Sequence, residues 1–384
     1  MNAMTGKCAM TGQARKIMET LPRKDWRERQ KEMARLLACP HEDLIKELEK
    51  GIRNHADADV RNASMEVYKT LGVRGFTSLS SLLQDSDHEV RLFAVNVLCA
   101  VGSQEAFPLL AGSMQDPDVN VRVAAAEALG RIRDARAVPI LEKAVHDEPW
   151  VAMASVHALG EIGGEHALRV IYRCLKIEDC QEIAVTALGN AGNLDSIEYL
   201  AACLDYDRLS EIALKATVRI AERHQARLQP EYFMHHIPKL LGMTQSPDPD
   251  IKKAAIRSIC WSRNLAAQQW LIDAVKDKDL QECAVEGILQ LGRRAVPGII
   301  DEIRNSAGPH RRMLVKMIDM LGEQAVLIQF AGDADAAVRT GVAWALGAVR
   351  MERAEQALHA MLNDPDEEVR LAARTSLDRQ RAGK

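Results

Sequence analysis

The segment Asp57-Ala-Asp-Val-Arg61 returns as Asp87-His-Glu-Val-Arg91, Asp118-Val-Asn-Val-Arg122, Asp335-Ala-Ala-Val-Arg339 and Asp366-Glu-Glu-Val-Arg370. With the arginine as phase marker, the steps from 61 to 91, from 91 to 122 and from 339 to 370 are 30, 31 and 31 residues. A fixed period of this size means a stack of like units, none of which buries its apolar face alone. The Leu-Gly pairs ending at Gly160, Gly189, Gly292, Gly322 and Gly347 carry the phase through the middle of the chain, to Ala152, Gln181, Glu211, Lys252, Gln281 and Arg311. Eleven units result, with one long interval of 41 residues between Glu211 and Lys252.

Each unit reads as two helices. Val121, Ala124, Ala125, Ala128, Leu129 and Ile132 recur at three- and four-residue steps, the buried face of a helix from Val119 to Ile132. The apolar stretch from Ala137 to Val145 follows as the next helix. The Asp four residues before each phase Arg stands where an N-cap belongs and accepts bonds from first-turn amides. Pro117, Pro247 and Pro365 come immediately before that cap and end the preceding segment. No useful strand-like alternation occurs. The expected fold is therefore all-α, a right-handed α-solenoid of about eleven two-helix repeats. Its expected parts are a flexible tail over 1–20, a capping helix over 21–40, repeats over 41–221, an insertion or joint over 222–250, repeats over 251–380 and a frayed terminus at 381–384. For the capping helix, Asp25 and Glu28 form a capping box, and Trp26, Met33 and Leu36 supply the apolar side.

Composition narrows the function. A net charge of −4 gives no global positive field to recruit nucleic acid or an anionic membrane surface. No apolar run reaches the roughly 18 residues of a spanning helix, and Met1 to Gly12 lacks the apolar core of a secretory signal. The eight cysteines include no Cys-x-x-Cys pair and fall mostly in apolar helical stretches, which fits reduced core residues of a cytoplasmic protein.

The pattern Asp118-x-x-Val-Arg122-x-x-Ala-Ala-x-Ala-Leu-Gly130, echoed from Asp335 to Gly347, resembles HEAT repeats, in particular the short-period, phycocyanobilin-lyase-type branch. The resemblance covers about residues 41 to 380. It implies the solenoid, and it implies that the motif's Asp and Arg form a polar ladder between adjacent units. Asp57, Asp87, Asp118, Asp335 and Asp366 with Arg61, Arg91, Arg122, Arg339 and Arg370 are accordingly assigned to structure, each arginine expected beside its own cap. The family includes pigment lyases, a diiron hydroxylase, DNA-repair glycosylases and many non-enzymatic scaffolds.

The catalytic branches leave little trace. The hydroxylase-like members place His-Glu pairs just after Val-Arg, whereas His41-Glu42 and His88-Glu89 begin helices instead, in unlike positions. His235 and His236, with His224 upstream, lack a nearby cysteine or paired carboxylates to complete a metal site. No phosphate loop, dinucleotide fingerprint or nucleophile elbow is present. The expectation is a non-enzymatic scaffold without cofactor or metal, monomeric unless complexed, that holds protein partners of unknown identity. The alternatives are a lyase- or hydroxylase-type enzyme and a nucleic-acid binder, the latter disfavoured by the charge.

Two regions are candidates for partner binding. Residues five beyond each phase position should point away from the buried stripe of the second helix: Glu66, Asn96, Glu127, His157, Thr186, Ala216, Arg257, Glu286, Lys316, Trp344 and Thr375. Acidic members fall early and basic Arg257 and Lys316 late, and Trp344 is a large aromatic at a position expected to face solvent. The other candidate is the long interval, with about ten added residues around Glu222 to Ser246. It carries Tyr232, Phe233, Met234, His235 and His236, and insertions of this kind map to recognition loops.

Overall fold

A computed structural model describes residues 13–21, 25–226 and 229–382. The chain divides into two compact units, one ending at Leu200 and the other beginning at Ala201. The division falls inside a helix, and the stretch 222–250 expected as a joint lies within the second unit.

The first unit opens with α1 (residues 13–20) and α2 (Trp26–Leu37). The expected segment 1–12 lies outside the described residues. The rest of the expected tail is helical, because Ala14, Ile17 and Met18 recur at three- and one-residue steps and, with Leu21, are buried. Asp25 caps α2 by accepting from the Glu28 amide at 2.9 Å, and Met33 and Leu36 are buried. Helical pairs follow: α3 (His41–Ile52) with α4 (Ala58–Leu71), α5 (Phe76–Leu82) with α6 (His88–Val101), and α7 (Phe107–Ser113) with α8 (Val119–Ile132). Next come α9 (Val138–Ala144) with α10 (Pro149–Ile162), and α11 (Gly164–Cys174) with α12 (Gln181–Ala191). The helix α13 (Ser196–Cys203) carries the division.

In the second unit α14 (Asp207–Arg223) is followed by α15 (Ile237–Met243) with α16 (Pro249–Trp261), and α17 (Gln268–Ala274) with α18 (Gln281–Leu291). Then α19 (Val296–Asn305) pairs with α20 (Gly308–Met320), a 3-10 helix (Gln324–Phe330) with α21 (Ala336–Leu346), and α22 (Glu352–Met361) with α23 (Glu367–Ala382). The described residues contain no strand. The protein is all-α and built from helical pairs, as the period requires.

Small residues set the spacing of the second helices. A Cβ placed on Gly130 of α8 would meet the backbone of Ala158 in α10 at 2.7 Å, and one on Gly160 of α10 would meet the Ala187 side chain of α12 at 2.8 Å. Between those contacts α10 is buried on nearly every side, through Val151, Ala152, Ala154, Val156, Ala158 and Leu159. The long interval also has a simple form. The extra residues lie between α14 and α15, in the 13-residue connection 224–236, whereas the loop that precedes α16 is of ordinary length.

Candidate interaction surfaces

The repeated aspartates do cap. Asp118 accepts from the amides of Asn120 and Val121 at 2.9 and 3.2 Å, and Asp57, Asp87, Asp335 and Asp366 accept in the same way from the first turns of their helices. Asp248 caps α16 likewise.

The arginines behave differently from the expectation. Each donates from Nη1 to carbonyls of its own preceding loop: Arg91 to Asp85 O and Ser86 O at 3.0 and 3.2 Å, Arg122 to Asp116 O and Pro117 O at 2.9 and 3.3 Å, Arg370 to Asp364 O and Pro365 O at 2.7 and 2.9 Å. The other edge of the guanidinium then grips a carboxylate one repeat on, and that carboxylate is not the cap. Arg91 pairs in bidentate fashion with Asp116 (2.8 and 2.8 Å), Arg122 with Asp147 (3.0 and 3.0 Å) and Arg339 with Asp364 (2.8 and 2.7 Å). Arg311 also reaches Asp333, through Nη2 and not as a bidentate fork. Asp116, Asp333 and Asp364 stand two residues before the caps Asp118, Asp335 and Asp366, so the full motif is Asp-x-Asp-x-x-Val-Arg. The outer Asp also accepts a backbone amide, Asp116 from Asp118 N at 2.9 Å, and its carboxylate is the one that meets the fork of the neighbouring arginine. Arg61 is the variant case. Its expected partner Asp85 is taken by Arg53 at 2.7 Å, and Arg61 lies over the Phe93 ring at 4.7 Å.

These contacts set the charge state of the carboxylates. The bonds from Arg122 and Arg339 hold Asp147 and Asp364 below the ordinary carboxylate range. Burial alone would raise Asp116, but Arg91 and the Asp118 amide together bring it below that range. At Asp85 the Asp87 amide acts first and Arg53 adds to it. The ladder arginines are engaged in structure and do not line a phosphate groove.

The row of outward positions is exposed or half-buried at Glu66, Asn96, Glu127, His157, Thr186, Arg257, Glu286, Lys316, Trp344 and Thr375. Ala216 is the exception and is buried. The phase is the reason: without a Leu-Gly pair in α14 it is placed one residue late, and the outward stripe there is Glu211, Lys215 and Arg219. The early residues carry acid, although Glu66 stands 3.9 Å from Arg29. Among the later basic residues Arg257 is paired with Glu222, so its charge is neutralised locally. Lys316 is exposed.

The last three second helices carry a surface of a different kind. Trp344 of α21 is 40% exposed, and the Arg379 guanidinium of α23 lies 5.7 Å from its ring. Met320 at the end of α20 and Leu371 of α23 are 51% and 61% exposed. Arg312, Lys316 and Arg374 are exposed on the same three helices. Stripes at four-residue spacing, Arg312-Lys316-Met320 and Leu371-Thr375-Arg379, put these residues on the outward side.

The insertion divides its residues between core and surface. Phe233, expected in a recognition loop, is fully buried, because the long connection must anchor itself to the repeat beneath it. Tyr232 is half-buried, His235 and Met234 are exposed, and the Met234 carbonyl accepts from Asn264 Nδ2 at 2.8 Å. His236 sits 3.8 Å from Asp205, and burial lowers its pKa. Among the described residues no three His, Cys, Asp or Glu side chains gather in metal-binding proximity, so the two histidines of this segment are not brought together with further ligands. A cleft of the second unit lies beside this segment. It has a volume of about 690 Å³ and is walled by Glu222, Lys252, Arg257, Trp261, Cys283 and Glu286.

Stacked helical pairs joined by an Asp-Arg ladder define a helical-repeat protein. Residues 76–152 and 296–378 match the family model for HEAT repeats, so the chain contains HEAT repeats in both units. HEAT repeats are in general scaffolds for protein interaction. No protein of curated function matches the chain. Solved structures similar to it include the complex of CpcE and CpcF of phycocyanin lyase from Nostoc sp. PCC7120, at 19% identity over 64% of this chain and 94% of that one, with a TM-score of 0.37. Human deoxyhypusine hydroxylase is 17% identical over 83% of this chain and 98% of its own, with a TM-score of 0.29. Kap95p bound to RanGDP is 13% identical over 88% of this chain and 55% of its own, with a TM-score of 0.43. Among the described residues no helix is long and apolar enough to cross a membrane.

Proposed function

We propose that this chain is a non-enzymatic adaptor, and that the outward face of α20, α21 and α23 docks an acidic segment of a partner protein that also carries apolar anchors. The observation that carries this reading is Trp344, a large aromatic left 40% exposed with a guanidinium beside its face. Exposed tryptophan and arginine are the residue types over-represented among binding hot spots. Met320 and Leu371 extend the apolar area, and Arg312, Lys316, Arg374 and Arg379 surround it with positive charge. An acidic partner is steered toward such a surface and a basic one is repelled. A rigid repeat surface pays little ordering entropy on association.

The test is recovery of partners from the native cell with tagged full-length chain, alongside Trp344→Ala and Lys316→Glu. Each substitution sits on an exposed helix face and should leave helicity unchanged. The expected result is loss of one and the same partner from both variants, with binding weakened about tenfold or more for the tryptophan, as a hot-spot truncation implies. Equal retention of that partner by both variants overturns the reading.

A further inference from the structure

The cleft beside α16 and α18 contains chemistry that a scaffold has no need of. Cys260 of α16 and Cys283 of α18 lie on successive second helices, and their sulfurs are 2.7 Å apart. Both are free thiols. Cys260 is buried, at 2% exposure, whereas Cys283 is half-buried and forms part of the wall of the 690 Å³ cleft. Gly287 helps the helices come this close: a Cβ there would lie 3.1 Å from the Cys260 Cα, a tight contact that the bare glycine avoids. Twenty-three residues separate the two cysteines in sequence, so no spacing motif advertises the pair.

We propose that Cys260 and Cys283 are a redox modification site that small disulfides of the glutathione type oxidise through the cleft to an intramolecular disulfide, tying α16 to α18. The geometry assigns the roles. Cys283 is the sulfur that an oxidant reaches, and Cys260 is the resolving thiol behind it. The Cys283 thiolate attacks one sulfur of the oxidant, a bond forms between them, the oxidant's own S–S bond breaks and one thiolate leaves. Cys260 gives its proton to solvent, and its sulfur attacks Cys283. The mixed disulfide breaks, the second thiolate leaves, and the released thiolates take up protons from solvent. The two protein thiols lose two electrons and the small disulfide gains them. Closing the bond to about 2.05 Å requires less than an ångström of further approach. The charge environment agrees with this order. A hydrogen bond shared with Cys260 lowers the pKa of Cys283, with nearby Arg257 contributing, while the same bond and burial keep Cys260 protonated.

The experiment exposes the full-length chain to excess oxidised glutathione at pH 7.5, quenches with an alkylating agent and maps tryptic peptides without reduction. The expected product is a linked pair of peptides spanning 258–263 and 279–293. The Cys260→Ser variant should instead accumulate glutathione on Cys283, and Cys283→Ser should leave Cys260 fully alkylatable after denaturation. Serine is close in size to cysteine, and the unoxidised far-ultraviolet spectrum of both variants checks that the fold is kept. The proposal fails if the wild-type chain retains a stable glutathione adduct on Cys283, if both thiols stay alkylatable, or if Cys283→Ser is oxidised at Cys260 as fast as the wild type.

Discussion

Arg91 and Arg122 tie one repeat to the next with a bidentate grip on Asp116 and Asp147, and the arginine forks are only 11% and 12% exposed. At the next phase position the chain has Ala152, which is buried and carries no charge. The stack nonetheless continues, since α10 meets α8 and α12 through Gly130 and Gly160 at distances that leave no space for a methyl group. After that, Gln181 donates to the Leu175 carbonyl at 3.1 Å. In the second unit Lys215 reaches Asp248 at 3.1 Å, and Gln281 stands where an arginine would be. Polar ladder and close apolar packing are thus two solutions to the same problem. A charged fork fixes direction and register, whereas a glycine contact fixes distance. The ladder's charges make those repeats sensitive to pH, and the glycine contacts make theirs sensitive to side-chain volume.

Acid separates the two solutions most strongly. Asp85, Asp116, Asp147 and Asp364 are all held below the ordinary carboxylate range. Their folded pKa values are depressed, so their contribution is complete above the unfolded value of about 4 and is lost as pH falls through the folded values. Hydrogen exchange followed from pH 6 downward should show α6 to α9 and α21 to α23 losing protection below about pH 4, ahead of α12. Simultaneous loss in all these helices would mean that the ladder carries no special share of stability.

A single substitution makes the same comparison at neutral pH. Arg91→Ala leaves Asp116, 8% exposed at its side chain, without its partner, and breaking a buried pair in this way costs about 3 kcal/mol. Gln181→Ala removes an uncharged side chain that donates to the Leu175 carbonyl, and a neutral bond of this kind is worth about 1 kcal/mol, so the loss should be the smaller one. Urea denaturation of the two variants, with the loss localised by hydrogen exchange, measures both. Equal midpoints would remove the distinction between ladder and middle.

How far the sequence revealed this depended on the range of each interaction. Helix existence, the pairing of helices and the capping aspartates follow from contacts a few residues apart, and the period of 30 or 31 residues exposes them directly. The arginine partners were missed because two aspartates compete at each loop, and only the geometry shows that Asp118 stays with its own helix while Asp116 reaches Arg91. A signal was available: Asp116, Asp333 and Asp364 repeat at the same offset as the caps do. Phe233 looked like a recognition residue because aromatic character is legible and burial in a long connection is not. The Cys260 and Cys283 contact is helped by Gly287, which lets α18 come close to α16, a three-residue coincidence that no local pattern encodes.

The glycine contacts give the smallest effect and the most discriminating sign. In a helix interior, alanine for glycine is ordinarily stabilising by about 1 kcal/mol, since it restricts the unfolded chain and favours the helix. At Gly130 the added methyl would lie 2.7 Å from the Ala158 backbone, which has no rotamer by which to withdraw. Overpacking of this kind costs about 1–3 kcal/mol, so the gain in propensity is offset or exceeded and Gly130→Ala should be destabilising by up to about 2 kcal/mol. Gly112 of α7 supplies the control, with nothing within 4 Å of its added Cβ, and Gly112→Ala should be neutral or stabilising. Thermal unfolding of the two variants against the parent chain measures the difference. If Gly130→Ala were as stabilising as Gly112→Ala, the approach of α10 to α8 would not depend on the missing side chain, and the Arg122 fork on Asp147 would be left to hold those two repeats in register.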